Sequence, residues 1–164
     1  MKEINKYISP IASFDVHLSN YHRLIDQLRR ENDITHLREI LSHSLTTTIV
    51  DQIKEEQYDA LVLTRANQHI VWVSEGFKGM TGYSKNFVLG KRPSFLQGER
   101  TCQETKKAIR ESLREKHTFE GALINYRKNK ETYTCHINIL PIYSKKNRLK
   151  YFLAIEKEIT EENH

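Results

Sequence analysis

Cysteine is nearly missing from this chain. Cys102 and Cys135 are the only two in 164 residues, too few for a disulfide framework. Long apolar runs are missing as well, so neither a membrane span nor a signal-peptide core is expected, and the cytoplasm is the expected location. Charge of one sign does not dominate: 26 Lys and Arg face 21 Asp and Glu, a formal net of +5, mixed along the chain. This mixture is no nucleic-acid footprint. There is no internal repeat, no low-complexity tract, no Gly-rich phosphate loop, no HExxH and no nucleophile elbow. No catalytic residue stands out, and the chain is not expected to be an enzyme.

What is present suffices for one modest core, with 38% hydrophobic residues. Leu18, Tyr21, Ile25 and Leu28 recur at steps of three and four, the stripe of an amphipathic helix. "ENDI" is read as a break, with Asp33 as N-cap of a second helix through Ile34, Leu37, Leu41, Leu45, Ile49 and Ile53. The β-branched run Thr46 to Val50 weakens that second helix. Two antiparallel helices are therefore expected over residues 1–57. One alternative lets them contact DNA as a transcriptional regulator. The stretch lacks a glycine-containing helix-turn-helix turn, so no nucleic-acid partner is expected.

From Tyr58 the pattern turns to strands. "ALVLT" and "HIVWVS", joined by "RANQ", read as a hairpin. Ser84 is placed to cap "KNFVL", and Gly90 to end it. In "TCQETKKAIRESLREK", Thr101 and Glu104 have capping-box spacing, and Ala108, Ile109, Ser112 and Leu113 form the less polar face. "FEGALINYR", "TYTCHINILPIY" and "KYFLAIEKEI" follow as strands, joined by "KNKE" and "SKKNR". The expected fold is α+β, an antiparallel sheet with short helices on one face. The expected organisation is a helical extension at 1–57, a domain at 58–160 and a tail at 161–164. "MKEINKYISP" and "EENH" read as tails.

"GFKGMTGYSKNFVLGKRPSFLQG", "NYRKNKETY" and the closing "EIT" are similar to PAS domains, above all the subset that contains the light-oxygen-voltage (LOV) photoreceptors. The resemblance covers residues 58–160 and implies a five-stranded antiparallel sheet curved around a small cavity, used in sensing and protein contacts. The photoreceptor motif reads GRNCRFLQ, and its thiol attacks a photoexcited flavin. Residues 90–97 here read GKRPSFLQ, so the resemblance puts Pro93, which has no nucleophile, at the thiol's place.

By the same resemblance Asn125 matches one flavin-reading asparagine, Gln97 a ring contact and Arg110 a contact to the phosphate end. Cys135 replaces a second asparagine, Glu156 a glutamine and Ser94 an arginine. An ionised glutamate only accepts hydrogen bonds, so it opposes a flavin carbonyl. Gln97, Arg110, Asn125, Cys135 and Glu156 are the candidate lining residues for a ligand still to be named. No cofactor is expected; a cysteine-less flavin-binding photosensor or redox sensor is the disfavoured alternative.

Strand alternation puts Tyr133, Cys135, Ile137 and Ile139 on one face and Phe119, Gly121, Leu123 and Asn125 on another inward face. Phe152, Ala154 and Glu156 share one side of the last strand. Glu156 then needs Arg110 or Arg92 as partner, or a raised pKa, unless it is solvated at the strand end. Phe95, Tyr133 and Phe152 could fill the cavity themselves. Tyr151, Leu153, Ile155, Ile124 and Leu140 form an apolar outer face that needs a cover, and the N-terminal helices supply one. A homodimer through those helices and that face is expected, with a downstream signalling protein as a further partner and no membrane partner. His36 and His43, seven apart, lack further ligands, and no metal site is expected. Haem would need an inward histidine on the helix at 101–116, where none occurs.

Overall fold

The computed structural model describes residues 10–160, with side chains from Phe14 onward. Residues 1–9 and 161–164, most of the expected N-terminal tail and all of the C-terminal one, lie outside the described residues. The chain divides into two compact units, ending and beginning at Ile40 and Leu41.

The first unit is essentially α1, a helix from Pro10 to Leu41. The expected break at "ENDI" does not occur, and Asp33 is a buried mid-helix residue instead of an N-cap. The segment holds neither Gly nor Pro, and its polar side chains bond back onto the helix. Thr35 Oγ1 donates to the Glu31 carbonyl at 2.8 Å, and His36 Nδ1 to that of Asn32 at 2.9 Å. The real break comes at Ser42, in the left-handed region at φ 48°. A 3-10 turn follows at Ser42–Ser44, then α2 at Thr47–Glu55. Thr46 caps α2, its Oγ1 accepting from Ile49 N–H at 3.4 Å. The β-branched run is thus the first turn of a helix. The two-helix arrangement behind the DNA-contact alternative does not form. His43 lies in the 3-10 turn, past the helix that carries His36.

The second unit is built on a five-stranded antiparallel sheet in the order β2-β1-β5-β4-β3. The strands are β1 Ala60–Arg65, β2 Ile70–Val73, β3 Phe119–Tyr126, β4 Thr132–Tyr143 and β5 Leu149–Ile159. Each matches an expected strand. Between β2 and β3 lie α3 (Gly76–Thr81), α4 (Lys85–Val88), a 3-10 turn (Pro93–Leu96) and α5 (Gln103–Glu115). Ser84 occupies the N-cap of α4 without a side-chain bond, and Gly90, at φ 80°, lets the chain leave it.

At α5 the cap differs from the capping-box expectation. Cys102 is the N-cap residue, and its Sγ donates to Glu104 Oε2 at 2.9 Å. Thr101 is drawn away because its hydroxyl donates to the Ile124 carbonyl at 2.6 Å and accepts from Gly98 N–H at 2.9 Å. That pins the loop ahead of α5 to β3.

The register sets two faces. Ala60, Glu156, Ile137 and Gly121 lie abreast across four strands, and so do Val62, Ala154, Ile139 and Phe119. These rows face inward; the apolar core there includes Ala60, Val62, Phe77, Met80, Leu123, Tyr133, Cys135 and Phe152. On the other face Leu61, Leu63, Leu140, Leu153 and Ile155 are buried, with Tyr151 and Ile124 half-buried. Within this unit the end of α2 sits over that face. Asn138 Nδ2 donates to Glu56 Oε1 at 3.0 Å, and Ile49 and Ile53 of α2 are buried. Residues 41–57 therefore group with the sheet, although the sequence pattern places them in the extension. Among the described residues no helix is long and apolar enough to cross a membrane.

Candidate functional site

The inward face of the sheet, the 3-10 turn at Pro93–Leu96 and α5 enclose a cavity of about 280 Å³. Its walls are apolar: Val62, Ile137, Ile139, Leu123, Phe152 and Ala154 from the sheet, Leu96 from the turn, Ile109 and Leu113 from α5. The volume lies near the lower end for small-molecule sites, about 300–1,000 Å³. The side chains expected as plugs leave it open. Phe95 stands edge-on to Tyr83, ring centroids 5.1 Å apart. Tyr133 lies in the core with the Arg127 guanidinium 4.5 Å from its ring centre.

Four of the five candidate residues line the cavity: Gln97, Arg110, Asn125 and Glu156. Cys135 does not. It is fully buried in the core, where the inward face is filled by packed side chains. Cys102 is exposed ahead of α5 and does not line the cavity either.

Glu156 departs furthest from ordinary behaviour. Only 2% of it is exposed, so it is not a solvated strand-end group. Its Oε2 has no hydrogen-bond partner, so neither Arg110 nor Arg92 pairs with that oxygen. Burial alone pushes its pKa up from 4.5 to about 7. Asn125 Oδ1 and Tyr133 Oη are buried as well, and the two side chains stand close enough for the Asn125 amide to act on the Tyr133 phenol as a hydrogen-bond partner. The Tyr133 phenol and the Cys135 thiol are both pushed well above their usual range, first by burial and next by the Glu156 carboxylate. A buried carboxyl oxygen without a partner, as at Glu156, is unusual, since buried polar groups are nearly always bonded.

The cavity carries cations as well. Arg92, Lys106 and Arg110 line it, and none of them has an ion-pair partner among the described residues. By contrast Lys107 pairs with Glu111 at 3.9 Å on the outside of the same helix. Lys106, Ile109, Arg110 and Leu113, at helical spacing, are the face of α5 turned to the cavity; Ala108 is exposed. Sequence reasoning missed Lys106, Thr64 and Gln68, which also line it. The i, i+4 spacing of Lys106 and Arg110 was the available signal. Gln68 is placed by the hairpin turn, whose left-handed residue it is, at φ 68°. Among the described residues no group of three or more His, Cys, Asp or Glu is arranged to hold a metal ion.

Residues 59–161 match the PAS domain family model. The chain is 39% identical over 98 residues to a blue-light photoreceptor of Listeria innocua, covering 60% of this chain and 38% of that protein. It is 35% identical over 94 residues to the human voltage-gated inwardly rectifying potassium channel KCNH3, covering 56% of this chain and 9% of the channel. Among solved structures it is similar to the LOV domain of a blue-light activated histidine kinase of Erythrobacter litoralis, with TM-score 0.60 and 26% identity over 65% of this chain and all of that one. The chain thus spans less than two fifths of the length of these curated relatives. With the sheet order, the enclosed cavity and a family match across most of its length in agreement, the chain belongs to the PAS domain family.

Proposed function

We propose that this chain is a sensory and protein-interaction module of a signalling protein, itself without catalytic activity, which takes a small ligand into its cavity and pairs with a second copy through α1. The observation that carries this reading is the cavity itself, apolar in its walls, with an unpartnered buried Glu156 oxygen on the sheet and, on α5 and just ahead of the 3-10 turn, cations without an ion-pair partner among the described residues. Such a site suits a ligand with an apolar body, a polar head and an anionic end.

β5 offers a route outward. Its inward residues Phe152, Ala154 and Glu156 line the cavity, while Leu153 and Ile155 alternate with them on the face where Asn138 holds Glu56. A ligand that shifts β5 therefore acts on both faces at once.

For pairing, the outer sheet face is no longer the surface of choice, because it is buried. The exposed stripe of α1 takes its place. Phe14, Leu18, Tyr21, Ile25 and Leu28 are all exposed and fall on alternating d and a positions of a heptad, with Asn32 at the next a. Such a seam suits a parallel pair of helices, and a single Asn at a favours two strands.

The blue-light relatives favour a second reading, a flavoprotein. Gln97 and Asn125 suit an isoalloxazine edge, and the cations suit a phosphate. The rest of the donor set fits less well: above about pH 7 Glu156 brings a carboxylate where the ring edge offers carbonyl oxygens, and neither cysteine lines the cavity. Native mass spectrometry of the chain, prepared with excess riboflavin 5′-phosphate, tests the proposal. The expected result is a dimer without flavin; a monomer would overturn the pairing, and one flavin per chain would put the second reading in place of the first.

A further inference from the structure

The orphaned Glu156 oxygen restricts what kind of head group the cavity accepts. Glu156 reaches it from the middle of the sheet, abreast of Ala60 and Ile137, whose side chains have no hydrogen-bonding atom to offer. Its Oε2 is buried and unpartnered, and the Asn125 amide on β3 lines the same cavity. Acceptors that are desolvated and unmatched cost the protein stability until a donor arrives. Once Glu156 is ionised, a ligand whose own head is made of carbonyl oxygens leaves that cost in place and adds repulsion. One that presents parallel N–H groups removes it, because two adjacent donors match both oxygens of a carboxylate.

We propose that the cavity selects a flat amino-heterocycle, with an N–H and an adjacent amino group directed at Glu156, and an anionic substituent directed at Arg92, Lys106 and Arg110. This rests on the ligand-binding reading above and names its ligand class. Arg92 and Arg110 are exposed and Lys106 is half-buried, whereas Glu156 and Asn125 are buried, so the anion lies toward solvent and the amino edge lies inside. Charges of opposite sign at the two ends give one binding direction.

The pH dependence distinguishes this ligand from a carbonyl-headed one. Burial holds the Glu156 proton to about pH 7. A donor-headed ligand needs the carboxylate and binds more tightly as pH rises through that value. A carbonyl-headed ligand needs the protonated acid and binds more tightly as pH falls. The other titratable groups around Glu156 are Tyr133 and Cys135 on β4, both pushed upward and neutral over this range. Asp59 ahead of β1, Glu158 on β5 and Arg127 after β3 act on those two groups, and Arg92, Lys106 and Arg110 share the cavity.

The test is calorimetric titration of the full chain with guanosine 5′-monophosphate, inosine 5′-monophosphate and riboflavin 5′-phosphate, at pH 6 and pH 8. The guanine edge carries the N–H and amino pair, hypoxanthine lacks the amino group, and the flavin edge is flanked by carbonyls. The expected result is guanosine monophosphate binding at least tenfold tighter than inosine monophosphate and tighter at pH 8. In Glu156→Gln the preference for the guanine edge and the part of the pH dependence due to Glu156 are lost, while the phosphate's own titration remains. Comparing the two purine nucleotides on the unaltered chain needs no variant to fold. Equal binding of the two, or binding of the flavin alone, overturns the amino-heterocycle and leaves a ligand-binding module standing. Silence from all three at millimolar concentration overturns both.

Discussion

Arg127 and Glu158 meet at 2.5 Å, joining the residue after β3 to the far end of β5. The same guanidinium donates to the Met80 carbonyl near the end of α3 and lies over the Tyr133 ring. One side chain thus fastens a helix, a strand and a buried aromatic. Both charges are partly exposed, 21% and 33%, so the ion pair by itself contributes little. The bond to the carbonyl and the ring contact add to it. Arg127→Ala is expected to cost about 2 kcal/mol, a fall in Tm of about 4–8 °C. Arg127→Lys is expected to restore less than half, because an ammonium cannot serve both acceptors in the fork geometry. Thermal unfolding of both variants checks this; a lysine variant as stable as the parent contradicts it.

Glu156 makes stability fall as pH rises. In the unfolded chain its carboxyl ionises near 4.5, whereas in the fold it keeps its proton to about pH 7. Below 4.5 both states are protonated and the group is neutral in effect. Between 4.5 and 7 the unfolded state loses its proton first and gains ground; above 7 the full penalty stands. The shift amounts to about 3 kcal/mol. Without ligand, Glu156→Gln is therefore expected to gain on the parent between pH 5 and pH 8, with little difference below pH 4. Urea unfolding across that range measures the gap, and parallel curves for the two proteins would contradict the burial argument.

Gly98 holds a close approach. A Cβ there would lie 2.5 Å from Tyr126 Cε2. The Tyr126 ring cannot simply swing away, since its hydroxyl accepts from Arg100 N–H at 3.0 Å. Gly98→Ala is expected to cost about 1–3 kcal/mol and to disturb Gln97, the adjacent cavity residue. Hydrogen exchange localised to residues 97–101 checks it; Tyr126→Ala in the same background should relieve the clash while losing the Arg100 bond.

These sites show what the sequence could and could not reveal. All five strands and the inward rows were legible, because alternation in "TYTCHINIL" and "ALINY" is a local property of the chain. Four of the five candidate residues, placed by the resemblance, also line the cavity. The failures share a cause. Thr101 reads as a cap from its spacing to Glu104, but a carbonyl on β3, remote in sequence, captures its hydroxyl. Cys135 points inward as alternation requires, yet the space before it is filled by residues from distant elements. "ENDI" suggests a cap, but Thr35 and His36 bond back to Glu31 and Asn32 and keep the helix closed. Local pattern fixes facing; nonlocal packing decides which inward residues reach the cavity.

The stripe on α1 gives the last prediction. Phe14, Leu18, Tyr21, Ile25 and Leu28 leave large apolar side chains exposed along one helix, between 43% and 67% for each. Single exposed apolar residues are ordinary, but five in heptad register over four turns are a seam. If the seam pairs with its copy, a charge at its middle must be buried against the same charge, which is strongly unfavourable. Ile25→Asp is therefore expected to convert a dimer into a monomer, with helix content falling mainly in α1 and the cavity unit still folded. Asn32→Ile acts in the opposite direction. An Asn at an a position costs stability but holds the pair to two strands in one register, so its removal should raise the dimer's Tm while admitting trimers or tetramers. Light scattering gives the masses and circular dichroism the melting curves. An Ile25→Asp variant that stays dimeric would place the contact elsewhere, and a parent that is monomeric at micromolar concentration would overturn the pairing itself. The Asn32 variant separates a specific seam from mere stickiness, since only a register-bearing interface changes its number of strands when one buried amide is removed.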